Sequence, residues 1–246
     1  MRTTGSTGLR TIPPDTVDVW RVRLDEKKGS GDGGKNSILS EDERRRAGRF
    51  HDPVDAARFA SGRAALREVL ASYTGRGAAE IAIEQGGNGK PRLADPQLGW
   101  LNFNVSHSRD VALIAVVAQR RVGIDVEAVA VEIDWPALVE TVLSPDERAE
   151  WNRLNSRERT AAFFAAWVFK EAYVKAIGEG LVRPLPSITA GWSRTERFTS
   201  VRDSGYPEDG SAFRLYPVES PVGFLAAVAV EGGPVAIRCD DWPATA

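Results

Sequence analysis

The feature that most constrains the fold is a repeat, in which a segment near residue 40 returns about half a chain length later. Leu39-Ser-Glu-Asp-Glu-Arg44 matches Leu143-Ser-Pro-Asp-Glu-Arg148. In both copies the serine and the glutamate three residues later fit a capping box, which satisfies free backbone N–H groups in the first turn of a helix. Two further pairs recur in the same order: Phe59-Ala60 with Phe164-Ala165, and Val111–Ala118 with Gly223–Val230. Three ordered matches favour an internal duplication over a coincidence between commonplace helix starts.

The duplication predicts an α+β fold built as a pseudo-dimer of two similar halves, with the active site between them. We expect a disordered tail at residues 1–16, an N-terminal half at 17–122 and a C-terminal half at 123–246. Loops are expected at 25–37 and 202–210, and a helix from about residue 53 to 73. Alternating residues or short apolar runs predict strands at 17–24, 80–84, 101–105, 111–118, 122–127, 212–218, 224–230 and 235–239.

The stretch from residue 166 to 181 predicts the helix around which the rest of the chain is organised. A glycine, Gly178 or Gly180, is expected to end it. Glu171 and Lys175 are four residues apart on the side away from the apolar stripe, so their side chains can meet. An ordinary surface ion pair explains this spacing as well as an active-site pair does. The apolar stripe consists of Phe169, Ala172, Tyr173 and Ala176.

Bulk composition excludes several classes of protein. The 246 residues carry a net charge of −2, so overall electrostatics give no reason to expect binding to nucleic acid or to a membrane surface. The single cysteine, Cys239, excludes a disulfide framework and a cysteine-based zinc site. No apolar run of about 18 residues is present, and the first residues lack the apolar segment of a secretory signal. We therefore expect a cytoplasmic protein.

Two carboxylates stand out on the strand predicted at residues 122–127. Asp125 and Glu127 are two residues apart, so both point to the same face of a strand. Neighbouring carboxylates repel each other and raise each other's pKa unless a cation lies between them. A hard divalent ion such as Mg²⁺ takes oxygen ligands and leaves positions open for phosphate. Glu171 would supply a third carboxylate if its helix packs over this strand; a solvated strand face is the alternative.

Several cationic or polar side chains accompany these carboxylates. His107, one of only two histidines, lies between two serines at the end of a strand, and a hydrogen-bonded structural histidine is the alternative reading. Lys90 follows Gly89, which permits close approach of a ligand, and precedes Pro91. Lys175 and a group of arginines add positive charge. Cations around an acidic metal site suit a polyanionic phosphate ester, because phosphoryl transfer needs mainly metal, cations and positioning.

The ordered motifs of this chain resemble those of the 4′-phosphopantetheinyl transferases. The length and the duplicated halves are similar to the Sfp type, a pseudo-dimer, and Trp167 with Lys170-Glu-Ala172 is similar to its W/KEA subgroup. Glu43 departs from the pattern, since relatives often have a basic residue there, and so does the long Gly-rich segment. The four matching motifs are Gly89-Lys-Pro, Phe103-Asn-Val-Ser-His-Ser108, Gly123-Ile-Asp-Val-Glu127 and Trp167-Val-Phe-Lys-Glu-Ala-Tyr-Val-Lys-Ala-Ile-Gly178.

The resemblance implies a reaction and a metal. Coenzyme A would give its phosphopantetheine arm to a serine of an apo acyl or peptidyl carrier protein, releasing adenosine 3′,5′-bisphosphate. Asp125, Glu127 and Glu171 would hold Mg²⁺, or Mn²⁺ in its place, against the pyrophosphate. Asp125 and Glu171 would thereby act in catalysis together with Lys175, which would reach a phosphate oxygen and the leaving group.

The resemblance also implies a nucleotide site and a carrier site. Lys90, Ser106 and His107 would hold the nucleotide end of coenzyme A, with His107 at the 3′-phosphate. By their position, Arg46 and Arg58 are further candidate phosphate contacts. The carrier protein would dock near the helix after Ser144, and the duplicated chain would act as a monomer.

Two other classes of protein remain as alternatives from the residues alone. A non-catalytic coenzyme A or nucleotide-binding module would keep Lys90 and His107 but would need no set of carboxylates. A metal-dependent phosphohydrolase would use the same carboxylates to activate water rather than a protein hydroxyl. The presence of Asp125, Glu127 and Glu171 together argues against the first of these.

Overall fold

The computed structural model describes residues 9–25, 35–86, 89–129, 135–178, 183–191 and 198–242. The start of the predicted tail, residues 26–34 of the predicted loop, and Gly180 lie outside these ranges. The α-helices are α1 (Lys35–Ile38), α2 (Glu41–Ala47), α3 (Pro53–Thr74), α4 (Trp135–Val142), α5 (Pro145–Trp151), α6 (Ser156–Ile177) and α7 (Pro207–Ala212). The strands are β1 (Thr16–Arg23), β2 (Ile83–Gln85), β3 (Pro91–Leu93), β4 (Leu101–Ser108), β5 (Val111–Ala118), β6 (Val122–Ala128), β7 (Ile188–Thr189), β8 (Thr199–Ser200), β9 (Arg202–Asp203), β10 (Phe213–Pro217), β11 (Phe224–Glu231) and β12 (Ala236–Asp241).

Two four-stranded sheets form the centre of the molecule. The first has the strand order β12-β1-β5-β4 and the second the order β6-β11-β10-β8. Alternation along each strand divides the side chains between two faces. On β5, Leu113 joins the core between the two sheets, whereas Ile114 joins the core under α3. On β11, Val228 joins the core between the sheets, whereas Ala227 joins the core under α6.

The layers are therefore α3, first sheet, second sheet and α6, which confirms the predicted α+β pseudo-dimer. The repeated helix starts are also confirmed. Ser40 and Glu43 form a capping box on α2, and Ser144 and Glu147 form one on α5.

The glutamate of each capping box is also tied to the long helix of its own half. Glu43 is buried and accepts hydrogen bonds from Arg63 and Arg67 of α3, at 2.6 and 2.7 Å. Glu147 is buried and lies 2.5 Å from the ammonium of Lys170 in α6. Glu43, which departs from the family pattern, thus has a structural role that mirrors that of Glu147.

The last strand differs from the sequence expectation in its partner. We expected the strand near residue 235 to end the second half, but β12 pairs in parallel with β1, with Val17 opposite Ile237, and so extends the first sheet. Alternation reveals that a segment is a strand, but its partner depends on contacts more than 200 residues away along the chain. The division of the chain at residues 122 and 123 stays a prediction.

The expected loop at residues 202–210 also contains regular structure. It includes β9 and the start of α7, which has Pro207 in its first turn. Asp203 accepts hydrogen bonds from the N–H groups of Gly205 and Tyr206 and so stabilises the turn between β9 and α7.

No helix within the described ranges is long and apolar enough to cross a membrane.

Candidate active site

The candidate site lies where the edge strands of the two sheets meet. Alternate residues of β4 point toward β6, and three of them bind it through their side chains. Together they join the two halves along a polar seam. The contacts are Asn104 Oδ1 accepting from Ile124 N at 2.8 Å, Ser106 Oγ donating to Asp125 Oδ1 at 2.9 Å, and Ser108 Oγ donating to Glu127 Oε2 at 3.0 Å.

A glycine brings helix α6 close to this seam. A Cβ atom on Gly123 of β6 would lie 2.1 Å from the carbonyl oxygen of Ala172 and 2.3 Å from the amide nitrogen of Ala176. These are backbone atoms of α6, so the helix itself would have to move. Gly123 therefore allows α6 to pack directly on β6, and this packing brings Glu171 and Lys175 over the carboxylates of the strand.

Replacing Gly123 with alanine is expected to separate α6 from β6. Overpacked cores typically lose about 1–3 kcal/mol, and a displacement of about 1 Å at a site can lower turnover about 100-fold. Thermal unfolding and kinetic assays would measure both effects. Gly233→Ala is the control, because a Cβ there meets nothing within 4 Å. Parent-like stability and turnover in Gly123→Ala would contradict the close packing.

Lys175 and Asp125 form the centre of the site. The Lys175 ammonium lies 2.6 Å from Asp125 Oδ1 and donates to Ser106 Oγ at 3.0 Å. Asp125 is only 2% exposed. Among the described residues, its second oxygen, Oδ2, is the buried side-chain polar atom without a hydrogen-bond partner. Such an orphaned carboxylate oxygen is costly to bury unless a further cation or donor completes it.

The neighbouring glutamates experience the same excess of negative charge. Burial, followed by the charge of Asp125, raises the pKa of Glu127 above its ordinary value. Burial and the charge of Asp125 also raise the pKa of Glu171. The described ranges contain no group of three or more acidic, histidine or cysteine side chains already close enough to form a complete metal site.

His107 lies on the opposite face of β4, toward α2 and α3. Its side chain is exposed, yet the surrounding protein lowers the pKa of the imidazole, and the charges of Lys175 and Arg46 lower it further. The Arg46 guanidinium lies over the ring of Phe59, 5.1 Å from its centre. Beside Arg46 is a surface pocket of about 530 Å³, lined by Asp42, Arg45, Arg46, Arg49 and Phe50.

Two residues that were predicted to contact coenzyme A, Arg58 and Lys90, instead form hydrogen bonds with groups of the protein. Arg58 donates two hydrogen bonds to the Asp25 carboxylate, at 2.6 and 2.7 Å. The Lys90 ammonium donates to the carbonyl oxygens of Val122 and Ala176, at 2.7 and 3.0 Å. Burial, and to a smaller degree the charge of Arg121, lowers the pKa of Lys90 to about 8.

Asn104 and Ser108 also belong to the site, although neither was predicted from the sequence as a site residue. Both form hydrogen bonds from β4 to β6. The signal was present, since Asn104, Ser106 and Ser108 are polar at alternate positions of β4, next to the apolar Phe103 and Val105. A polar face on a strand next to two carboxylates indicates a polar seam.

Known proteins are similar to this chain over most of its length. A family model described as "4′-phosphopantetheinyl transferase superfamily" matches residues 121–216, and another, "4′-phosphopantetheinyl transferase, N-terminal", matches residues 34–119. The 4′-phosphopantetheinyl transferase HetI of Nostoc sp. is 35% identical over 224 residues, which are 90% of each chain. The 4′-phosphopantetheinyl transferase psf-1 of Bacillus pumilus is 33% identical over 162 residues, 66% of this chain and 67% of the relative.

The boundary between the two family matches falls between a strand of the first sheet and a strand of the second. The N-terminal match ends at residue 119, after β5, and the other begins at residue 121, before β6. The β4 residues of the seam lie within the first match and the β6 residues within the second, and the similarity to HetI covers nine-tenths of each chain. The chain is therefore a transferase and belongs to the 4′-phosphopantetheinyl transferase superfamily, as a member with two similar halves.

Proposed function

We propose that this protein transfers the 4′-phosphopantetheine arm of coenzyme A to a serine of an apo acyl or peptidyl carrier protein, in a Mg²⁺-dependent reaction. The serine oxygen forms a bond to the β-phosphorus, and the bond from that phosphorus to the bridging oxygen breaks. Adenosine 3′,5′-bisphosphate leaves. The observation that carries this proposal is the pairing of Lys175 with Asp125 at 2.6 Å, beside an Asp125 oxygen that is buried without a partner.

The donor set fits a hard divalent cation. Asp125 Oδ2 is an orphaned oxygen, and burial together with the charge of Asp125 raises the pKa values of Glu127 and Glu171, so a cation among these oxygens would stabilise their charged forms. Oxygen ligands of this kind suit Mg²⁺, and Mn²⁺ accepts the same set. When bound by Asp125, Glu127 and Glu171, the ion supplies charge stabilisation to the phosphate oxygens in the transition state.

The residues of α6 have different roles in this proposal. Glu171 accepts the proton of the carrier serine, directly or through water, with a pKa that the bound ion sets. Lys175 turns its ammonium toward the leaving phosphate, where negative charge grows. Asp125 and Ser106 hold that ammonium in place before substrate binds.

The nucleotide end would lie on the other side of the seam. We propose that the 3′-phosphate of coenzyme A lies near His107 and Arg46, because both side chains are exposed on this side of β4 and the charge of Arg46 reaches the imidazole of His107. Arg58 would join them only by exchanging its Asp25 carboxylate for a phosphate. Arg46 keeps its guanidinium accessible over the ring of Phe59, beside the pocket on α2.

His107→Ala is expected to raise KM for coenzyme A more than KM for dephospho-coenzyme A. A lost phosphate contact must be specific to the ligand that carries the phosphate, so kcat should change little. Steady-state kinetics with both ligands would measure the difference. His51→Ala, the other histidine, is the control. Equal effects of His107→Ala on both ligands would mean that His107 is structural.

The carrier protein would approach α5, beside the cleft between the halves. The overall charge of −2 offers an acidic carrier no attraction, so local positive charge is required. Arg153 and Arg157 supply it, since both are exposed between the end of α5 and the first turn of α6. With two halves in one chain, we expect a monomer to be active, and sedimentation would test this.

A mass-spectrometric assay distinguishes this function from its alternatives. The protein would be incubated with coenzyme A, Mg²⁺ and a panel of apo carrier proteins. Transfer predicts that a carrier gains the mass of one phosphopantetheine group and that EDTA prevents the gain. A phosphohydrolase would cleave coenzyme A without modifying any carrier, and a binding module would leave both unchanged. Either result would overturn the proposed function.

A further inference from the structure

The side chain of Lys90 forms hydrogen bonds with two backbone carbonyl groups, which a lysine that binds phosphate would not need. It belongs to the turn between β2 and β3, and its backbone is fixed on both sides. Gly86 N donates to the Lys90 carbonyl at 2.9 Å, and Pro91 follows. From this fixed position the side chain crosses to the C-terminal half, where its methylene Cδ lies 3.6 Å from where a Cβ of Gly178 would be.

The two acceptors of Lys90 are carbonyls that regular secondary structure leaves open. Ala176 is in the last turn of α6, whose final four carbonyls have no partner within the helix. Val122 is the first residue of β6, an edge strand of the second sheet. Lys90 binds both oxygens at once, at 3.0 and 2.7 Å, and a cation at the C-terminal end of a helix also interacts favourably with the helix dipole.

These carbonyls are next to the reacting groups. Ala176 directly follows Lys175, and Val122 is three residues before Asp125. The contact between Lys175 and Asp125 joins the same helix to the same strand. Fixing the end of α6 to the start of β6 therefore restricts the distance at which Lys175 and Asp125 meet.

We propose that Lys90 is a positioning residue that fastens the end of α6 to the start of β6 and so holds Lys175 against Asp125, rather than a contact of the nucleotide. This inference rests on the proposed transferase function for its kinetic consequence. Its structural consequence is independent of that function. The ammonium is committed to two carbonyls, so coenzyme A would gain its phosphate contacts from other cations.

Lys90→Met is expected to lower kcat with an apo acyl carrier protein about tenfold, with KM for coenzyme A little changed, because the reacting groups lose their alignment. It is also expected to speed amide hydrogen exchange in the last turn of α6 about fivefold, a readout independent of turnover. Arg92→Met is the control, since Arg92 lies in the same hairpin and forms an exposed ion pair with Glu84. Neither quantity should change in this control.

The possible results separate this inference from the proposed function. A parent-like kcat in Lys90→Met overturns it, as does a parent-like exchange rate, and a raised KM with unchanged kcat would assign Lys90 to the nucleotide. If Lys90→Met does not fold, Lys90→Gln, which keeps N–H donors on a shorter side chain, should show the same loss of kcat. If the parent protein modifies no carrier, the proposed function fails, while the exchange measurement still tests the fastening.

Discussion

Asp125→Asn is expected to lower kcat/KM about 10²–10³-fold. The substitution preserves the shape of the side chain but removes the charge that pairs with Lys175 at 2.6 Å and the anionic oxygen offered to Mg²⁺. Loss of one charged ligand removes transition-state stabilisation worth on the order of several kcal/mol. The fold should survive, because Lys175 is 30% exposed and can turn toward water when its partner is lost.

Activity and metal binding should change together in this variant. Titration of the protein with Mn²⁺, followed by electron paramagnetic resonance, measures metal affinity without turnover, and Asp125→Asn should weaken it. Asp241→Asn is the control, since Asp241 also pairs with an arginine, Arg21, but its side chain is 77% exposed. Exposed pairs of this kind contribute about 0–1 kcal/mol. If Asp125→Asn matches the parent at low Mg²⁺, the two carboxylates of β6 do not hold the metal.

Features that depend on local signals could be predicted from the sequence. The capping boxes at Ser40 and Ser144 were confirmed, because a short polar side chain followed three residues later by glutamate satisfies the first turn wherever the helix lies. Strands β5 and β6 were confirmed within one residue, because apolar runs and alternation report burial directly. Gly178 was confirmed as the end of α6, with φ of +81° in the left-handed region.

Features that depend on distant partners could not be predicted. The sheet that β12 joins is set by pairing with β1. Lys90 was predicted to contact the nucleotide because it follows Gly89 in a motif that resembles the family's, and Arg58 was predicted to contact phosphate because of its position. Their partners, Ala176 and Asp25, are brought near only by the folded chain. A cationic residue in a sequence indicates that an anion could bind there. Only the folded structure shows whether a carbonyl or carboxylate of the protein already pairs with that residue.

Glu171→Gln and Lys175→Met should both abolish most turnover but should change stability in opposite directions. Loss of a general base typically lowers kcat about 10²–10⁴-fold, and loss of a group that stabilises the leaving charge about 10²–10³-fold. Lys175→Met leaves Asp125 buried without its cation, so this variant should unfold at a lower temperature. Glu171→Gln removes one of several crowded carboxylates, so in the absence of metal it should unfold at a higher temperature than the parent.

The dependence of stability on pH follows from the raised pKa values of Glu171 and Glu127. A carboxyl whose pKa is higher in the folded than in the unfolded protein binds its proton more tightly when folded. Its contribution to stability is thus fully present below its ordinary value of 4.5 and is lost as the pH rises through the raised folded value. The stability gained in Glu171→Gln should accordingly be small at acidic pH and should grow as the pH increases toward neutrality.

The alternative is an ordinary ion pair between residues four apart on a helix. It predicts that turnover is kept and that Glu171→Gln loses stability instead of gaining it. If Glu171 and Lys175 only stabilised α6, each substitution would keep turnover and would lower the free energy of unfolding by at most about 0.5 kcal/mol, with a correspondingly small fall in melting temperature. Measuring kcat together with melting temperature in metal-free buffer from acidic to neutral pH decides between the two, with Glu84→Gln, in its exposed pair with Arg92, as the control. A Glu171→Gln variant that keeps turnover and melts below the parent would remove Glu171 from the reaction. A variant that melts above the parent yet transfers nothing would show that the parent tolerates this crowding of charge because the reaction requires it.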